Sequence, residues 1–312
     1  MLRKLIRLLH HAWVYVLSLL SSGPSYLIIF VTGRCNLRCA HCFYLDEIEK
    51  ADIKRELTLE EFTRVAKNSP VLYHITFTGG ETFLRKDLNE IVQAFYRYSK
   101  IRSVTITTNG TYPQKVTETV ESIAATCPNL IVRVPLSMDG TEKVHDEMRG
   151  LPGTWHKVLE TYEQLRDVAD RHSNVKLDIT SVLTNNNLED IEALIEFVGE
   201  KMVVDNHAIN FPRGKMQDET AIVPALERYD ELVGRSGGQR KRQRYRFPIF
   251  SRVLVFMRDL TEYSITRVQK TMTMPFVCEA GERLVEINEY GELFPCEVLD
   301  TLITQGDTVE EP

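Results

Sequence analysis

The stretch "TGRCNLRCAHCFYLD", residues 32–46, places Cys35, Cys39 and Cys42 within eight residues, half of the chain's six cysteines. Three chemistries use such a cluster: a structural zinc loop, half of a disulfide framework, or the cradle of an iron–sulfur cluster. Six cysteines in 312 residues is too sparse for a disulfide scaffold, and three is an odd number to pair. For zinc, His41 is the fourth candidate, but it adjoins Cys42, and neighbouring side chains diverge. Structural zinc sites usually come as two knuckles, and the chain has no second CxxC. Iron–sulfur clusters usually take four cysteines, so three leave one coordination position open. An open position on a metal is a place for chemistry.

Working outward, "SYLIIFVT" (25–32) is short, apolar and β-prone, so the cysteines follow a strand. "VLYHITFT" (71–78), "SVTITT" (103–108), "LIVRVPLS" (130–137), "VKLDITSVLT" (175–184) and "NHAINF" (206–211) also read as strands. Helical patterns lie between them at 57–68, 86–99, 114–126, 154–170 and 188–200. Thr58 and Glu61 form a capping box, and Asp87 is the expected N-cap of the next helix. Six strand–helix units predict a parallel sheet with helical crossovers. Periodicity does not choose between an open doubly wound sheet and a partial barrel. In both, ligands sit at the C-terminal ends of the strands. Those ends carry the cysteine loop, "GGE" (79–81), "NG" (109–110), "MDG" (138–140), "NNN" (185–187) and "PRG" (212–214). Small and polar residues there let backbone approach a ligand closely.

"CNLRCAHC" after the first strand is CxxxCxxC, and it resembles the signature of the radical S-adenosylmethionine (SAM) superfamily. "FTGGE" (77–81) is similar to that superfamily's glycine-rich motif. "TTNG" (107–110), "LSMDG" (136–140) and "HDEMRG" (145–150) resemble accompanying segments of its peptide-modifying, SPASM/twitch branches. The resemblance covers residues 25–215 plus the tail. It implies an α/β fold, a partial (β/α)6 TIM-like barrel. It implies that Cys35, Cys39 and Cys42 hold three irons of a [4Fe–4S] cluster, with SAM chelating the fourth. Gly79, Gly80 and Glu81 would meet the SAM amino group, and backbone at Phe43 and Tyr44 would flank adenine. Ser137, Asp139 and Asn109 would serve ribose and carboxylate contacts, and Arg149 would pair with the SAM carboxylate; for Arg149 and Asp139 a helix-cap or salt-bridge role is the alternative. The activity implied is reductive cleavage of SAM to a 5′-deoxyadenosyl radical that abstracts hydrogen from a substrate. A reductant such as flavodoxin or ferredoxin is the implied partner.

The tail "CEAGERLVEINEYGELFPC" (278–296) resembles the opening of a SPASM or twitch domain. "LVEINEYGELF" reads as a β-hairpin turning at Tyr290–Gly291. By that resemblance Cys278 and Cys296 are candidate ligands of an auxiliary iron–sulfur cluster. The later cysteines of the pattern are absent, and two thiolates do not hold a usual cluster alone. A shortened variant, ligands borrowed from a partner and a fragment of a longer chain all fit. Cys127, at a predicted helix end, reads as an ordinary cysteine.

Residues 1–24 form the first expected unit, an N-terminal amphipathic helix. The barrel follows at 25–215, a helical and basic-loop connector at 216–277 and the twitch-like region at 278–312. In the first unit Leu2, Leu5, Ile6, Leu9, Trp13, Val16 and Leu20 make one stripe, with Arg3, Arg7, His10 and His11 largely off it. The apolar run is too short to span a membrane, and the charged residues interrupt a signal-peptide pattern. Such a helix packs on the domain or lies on an anionic membrane surface through residues 1–20. In the connector, 222–233 is a predicted helix, 234–247 a basic loop with Arg240, Lys241, Arg242, Arg244 and Arg246, and 251–265 helical. The basic loop reads as a solvated surface segment or as a site for phosphate or a lipid headgroup. The loops over the barrel mouth, 237–247 among them, are expected to order around substrate.

Net charge −6 and pI near 5.8 give no basic footprint for nucleic acid, and a cytoplasmic location is expected. The resemblance leans toward a peptide or protein substrate. The N-terminal helix and the arginines lean toward an anionic lipid or phosphorylated small molecule, and a sugar or other natural product stays open. A non-catalytic iron–sulfur or SAM-binding regulator is the rival from another class.

Overall fold

The computed structural model describes residues 12–212 other than 19, residues 226–240, six positions between 264 and 273, and residues 277–297. Eight strands form one sheet: β1 Tyr26–Thr32, β2 His74–Gly79, β3 Ser103–Ile106, β4 Ile131–Ser137, β5 Val175–Val182, β6 Asn206–Asn210, β7 Leu284–Ile287 and β8 Leu293–Phe294. Their order is β6-β5-β4-β3-β2-β1-β7-β8. Every pairing is parallel except β7 with β8.

A helical segment, α1, covers residues 12–18. It is followed by α2 Leu45–Lys50, α3 Leu59–Asn68, α4 Leu88–Tyr98, α5 Pro113–Thr126, α6 Glu142–Arg149, α7 Thr154–Arg171, α8 Ile191–Lys201 and α9 Leu226–Arg240. The five long crossover helices and six strands fall where their hydrophobic periods predict. The sequence pattern missed α2 and α6. They have six and eight residues, too few to carry an amphipathic stripe, and Ile48 is the buried residue of α2.

Burial decides between the two parallel architectures. In β2, β3 and β4 fully buried residues alternate with half-buried ones. Ile75, Phe77, Val104, Ile106, Val132 and Val134 face the helices and join one core with Phe62, Phe95 and Leu165. The alternate residues are not covered by helices. A doubly wound sheet is buried on both faces; helices on one face give a barrel wall. The wall is open, with β6 and β8 at its edges among the described residues. The C-terminal hairpin forms as predicted, Ile287 opposite Leu293, and β7 attaches it to β1, Ile28 opposite Glu286.

Local chemistry explains the element ends. Thr58 and Glu61 make the predicted capping box on α3: the Glu61 amide donates to Thr58 Oγ1 at 3.2 Å, and the Thr58 amide to Glu61 Oε2 at 2.8 Å. Asp87 stands at the N-cap of α4 but makes no capping bond; its carboxylate takes Arg85 Nε at 2.6 Å instead. A guanidinium two residues away outcompetes a backbone amide for the carboxylate. The segment read as a basic loop from 234 is helical to Arg240, so α9 runs beyond the predicted end at 233. Residues 241–247 and nearly all of the predicted helix at 251–265 lie outside the described residues. On α1, Val14 and Ser18 are buried, while Trp13, Val16 and Leu20 of the expected apolar stripe are exposed. The helix therefore packs through the opposite face. Among the described residues no helix is long and apolar enough to cross a membrane.

Candidate functional site: the cysteine loop at the barrel mouth

The loop 33–44 leaves the C-terminal end of β1, and N–H groups point at its sulfurs. The Leu37 amide donates to Cys35 Sγ at 3.4 Å, Asn109 Nδ2 reaches the same sulfur at 4.0 Å, and an Arg149 nitrogen donates to Cys39 Sγ at 3.7 Å. Donors aimed at sulfur suit thiolates, the form that binds metal. Burial pushes the Cys35 thiol up to about 11 and Cys42 up to about 12, and raises Cys39 as well. Protons leave such thiols when a metal replaces them. Among the described residues no three His, Cys, Asp or Glu side chains converge tightly enough for a single metal ion. The donor set fits the cluster reading: three thiols on one loop, amide and guanidinium donors on their sulfurs, and a cation behind them.

The glycine turn after β2 lies directly on the chain entering this loop. Gly80 N–H donates to Thr32 O at 2.9 Å and Glu81 N–H to Arg34 O at 2.8 Å. Gly79 has φ +127°, and a Cβ there would sit 2.3 Å from Thr32 O; one on Gly80 would sit 2.2 Å from Arg34 O. Side chains are excluded because backbone must touch backbone. Glu81 is 1% exposed. Its Oε1 accepts from the Phe83 amide at 3.1 Å and Thr108 Oγ1 at 2.8 Å, and its Oε2 from the Asn109 amide at 2.7 Å. These donors use most of the roughly four lone-pair sites of a carboxylate. Glu81 thus braces the β2 turn to the β3 turn, and the glycine backbone beside it is half-buried. Glu81→Gln is expected to cost about 1–3 kcal/mol, read by anaerobic denaturant titration, because one amide oxygen replaces two acceptors.

Asn109 faces the cysteine loop, its Nδ2 donating to Asn36 Oδ1 at 3.0 Å. Ser137 ends β4 half-buried, beside the β3 turn through its amide bond to Thr108 O at 3.1 Å. Asp139, fully buried, is paired with Arg149 at 2.6 Å and lies 3.6 Å from His41. Burial works to raise Asp139, but Arg149 and His41 beside it overcome this and hold its carboxyl below the usual range. Arg149 is raised for the converse reason: Asp139 and Cys39 outweigh its burial. Arg149, expected at the SAM carboxylate, is thus engaged by Asp139 and Cys39. Phe43 and Tyr44 follow the last cysteine. The Tyr44 ring packs on Phe30 at 4.5 Å, and its hydroxyl donates to Glu289 of the hairpin turn. Sequence reasoning missed Glu289 and Asn36; Glu289 is 245 residues from Tyr44 and carries no local signal. Cys278 is exposed and Cys296 half-buried, both as thiols.

An open parallel barrel wall whose first loop presents three half-buried thiols beside a glycine turn fits an iron–sulfur protein. Residues 29–198, more than half of the chain, match the Radical SAM superfamily, and the chain belongs to that superfamily, which works with SAM and a [4Fe–4S] cluster. GTP 3′,8-cyclase of Marinobacter nauticus and the subtilosin biosynthesis protein AlbA of Bacillus subtilis are each 30% identical over 198 residues, 62% of this chain. The chain covers 56% and 41% of their lengths. A crystal structure of Streptococcus suis SuiB bound to the precursor peptide SuiA superposes with TM-score 0.61 at 18% identity. That match covers 90% of this chain and 61% of SuiB.

Proposed function

We propose that the protein is an enzyme that removes hydrogen from a peptide or protein side chain held against the open face of the barrel. The observation that carries this reading is the thiol loop of Cys35, Cys39 and Cys42, lying beside the Gly79–Gly80 backbone at the mouth. When bound, the cluster supplies an electron that splits SAM, and the hydrogen-abstracting fragment acts on the substrate. This chain's residues do the rest. The three thiols would hold iron, the glycine backbone would approach SAM, and Ser137 and Asn109 line the same end of the sheet. A small electron carrier such as flavodoxin or ferredoxin would deliver the electron.

The face of the sheet away from the helices is polar near the start and middle of its strands. Tyr26, His74, Thr76, Thr105, Arg133 and Asp178 lie there. Tyr26 and Thr76 hydroxyls are 2.8 Å apart, His74 bridges Thr76 and Thr105 at 3.3 Å, and Arg133 pairs with Asp178 at 2.5 Å. Likeness to AlbA and to peptide-bound SuiB supports the peptide, while equal likeness to a GTP cyclase favours a nucleotide as the second reading.

The test is anaerobic reconstitution, then SAM and dithionite with either a deuterated peptide pool or deuterated GTP. Deuterium in 5′-deoxyadenosine from the peptide pool alone supports the reading. Deuterium from GTP alone transfers it to the nucleotide, and no 5′-deoxyadenosine at all makes the chain a non-catalytic binder.

We also place residues 1–20 on an anionic membrane surface. Trp13, Val16 and Leu20, three and four residues apart, share one outward face at 61%, 45% and 79% exposure, and Arg3, Lys4 and Arg7 precede them in sequence. Replacing all three with serine should weaken partition onto phosphatidylglycerol vesicles at least about tenfold, since each buried apolar side chain contributes roughly 1.5–3 kcal/mol. Wild-type protein that does not co-sediment with these vesicles would end the idea.

A further inference from the structure

We infer that Arg149 is a positioning residue that tunes the cluster: its guanidinium donates to Cys39 Sγ, is fixed by buried Asp139, and sets how easily the cluster accepts an electron. This rests on the reading that the cysteine loop holds the cluster. Arg149 is 7% exposed and Asp139 is at 0%. One guanidinium nitrogen stands 3.7 Å from Cys39 Sγ, and the other end is 2.6 Å from Asp139 Oδ2. Asp139 is itself immobilised. Its Oδ1 accepts the Val182 amide at 2.8 Å, and its carbonyl accepts Asn187 Nδ2 at 2.6 Å. The guanidinium is therefore anchored from the β5 side of the barrel, and its position does not depend on a ligand.

The end of α6 is fitted to the cysteine loop around this contact. Ala40 N–H donates to Met148 O at 3.0 Å. Gly150 takes φ +69°, and a Cβ there would meet Arg38 O at 2.6 Å. Residues 148–150 thus grip residues 38–40 on both sides of Cys39. This is the arrangement of an outer-shell partner that orients a ligand. A cluster bound by thiolates gains negative charge on reduction. Hydrogen bonds to its sulfurs and a nearby cation stabilise the reduced form and raise the potential. The pair with Asp139 keeps Arg149 charged while buried, where an uncompensated cation would be costly.

The experiment compares reconstituted wild type with Arg149→Lys, Arg149→Met and the double variant Asp139→Asn/Arg149→Met, all without SAM. Midpoint potentials come from dithionite titration followed by electron paramagnetic resonance, alongside iron content and circular dichroism. Arg149→Met should titrate at a more negative potential than wild type. The double variant, with no stranded carboxylate, should shift the same way by less, and Arg149→Lys should fall between Arg149→Met and wild type. A folded variant that binds under half the wild-type iron also supports the assignment. Iron-replete Arg149→Met and double variants with the wild-type potential would overturn it. So would weakened SAM binding by equilibrium dialysis with an unchanged SAM-free potential, which returns Arg149 to the SAM carboxylate. Wild-type protein that takes up no iron is a distinct outcome and overturns the cluster reading itself.

Discussion

Single alanine replacements of Cys35, Cys39 and Cys42 should each take reconstituted protein from about four irons per chain to background. They should also bring 5′-deoxyadenosine to the level seen without protein. The effect is all-or-none because one loop supplies all three thiols. Two remaining thiolates cannot hold the cluster, and no other cysteine is placed to substitute. Cys127 is buried as the C-cap of α5, and Cys278 is exposed. Cys127→Ala, Cys278→Ser and Cys296→Ser are therefore expected to keep the iron of the wild type. A wild-type value near eight irons, halved by Cys278→Ser, would instead establish an auxiliary cluster at the tail. Iron analysis and product assay should fall together in the loop variants, because both depend on the same three thiols holding the cluster.

Gly79→Ala and Gly80→Ala should each destabilise the protein by about 3–5 kcal/mol and remove iron uptake. The added methyl at Gly80 meets Arg34 O at 2.2 Å and the Cys35 amide nitrogen at 3.0 Å. Both are backbone atoms, so no side-chain rotation relieves the clash. At Gly79 the same clash, with Thr32 O at 2.3 Å, adds to a φ of +127°. Separating the strands would also break the bonds of Gly80 and Glu81 to Thr32 and Arg34 that hold the cysteine loop. Gly153 supplies the control. It has φ +83° but nothing within 4 Å of a built Cβ, so Gly153→Ala should cost only the left-handed strain, about 1–2 kcal/mol. Denaturant titration of the three variants separates clash from strain. A Gly80→Ala protein as stable as wild type would mean that the glycine turn does not press on the cysteine loop.

Local periodicity made most of the barrel legible. The apolar alternation in "VLYHITFT" and the stripe of α4 each report which residues face a core, whatever that core is. The elements that escaped were those whose reason for existing is not local. Helix α6 is too short to show a stripe, yet its end presents Arg149 and Gly150 to the cysteine loop. Asp87 carried a capping pattern, but Arg85 two residues away took its carboxylate. The stripe on α1 was real in sequence, but the helix buries Val14 and Ser18 and leaves Trp13 and Val16 exposed.

The same division runs through the site. Spacing, with zinc and a disulfide set aside, marked Cys35, Cys39 and Cys42 as candidate ligands of one cluster, because three thiols lie on one short loop. Sequence also placed the glycine turn at the same end of the sheet, since parallel strands share their C-terminal edge. It did not reveal that Glu81 turns its carboxylate into the protein, that Asp139 and Arg149 stand behind Cys39, or that Glu289 reaches Tyr44 from the hairpin. Those pairings join residues far apart in the chain, and which donor meets which acceptor is set by how the strands register and how the turns stack. Local pattern determines strands, helices and the ligand-bearing loop because the backbone enforces their periods. The tertiary structure alone decides the partner of each buried charge, because that depends on which distant group packing brings within hydrogen-bond reach.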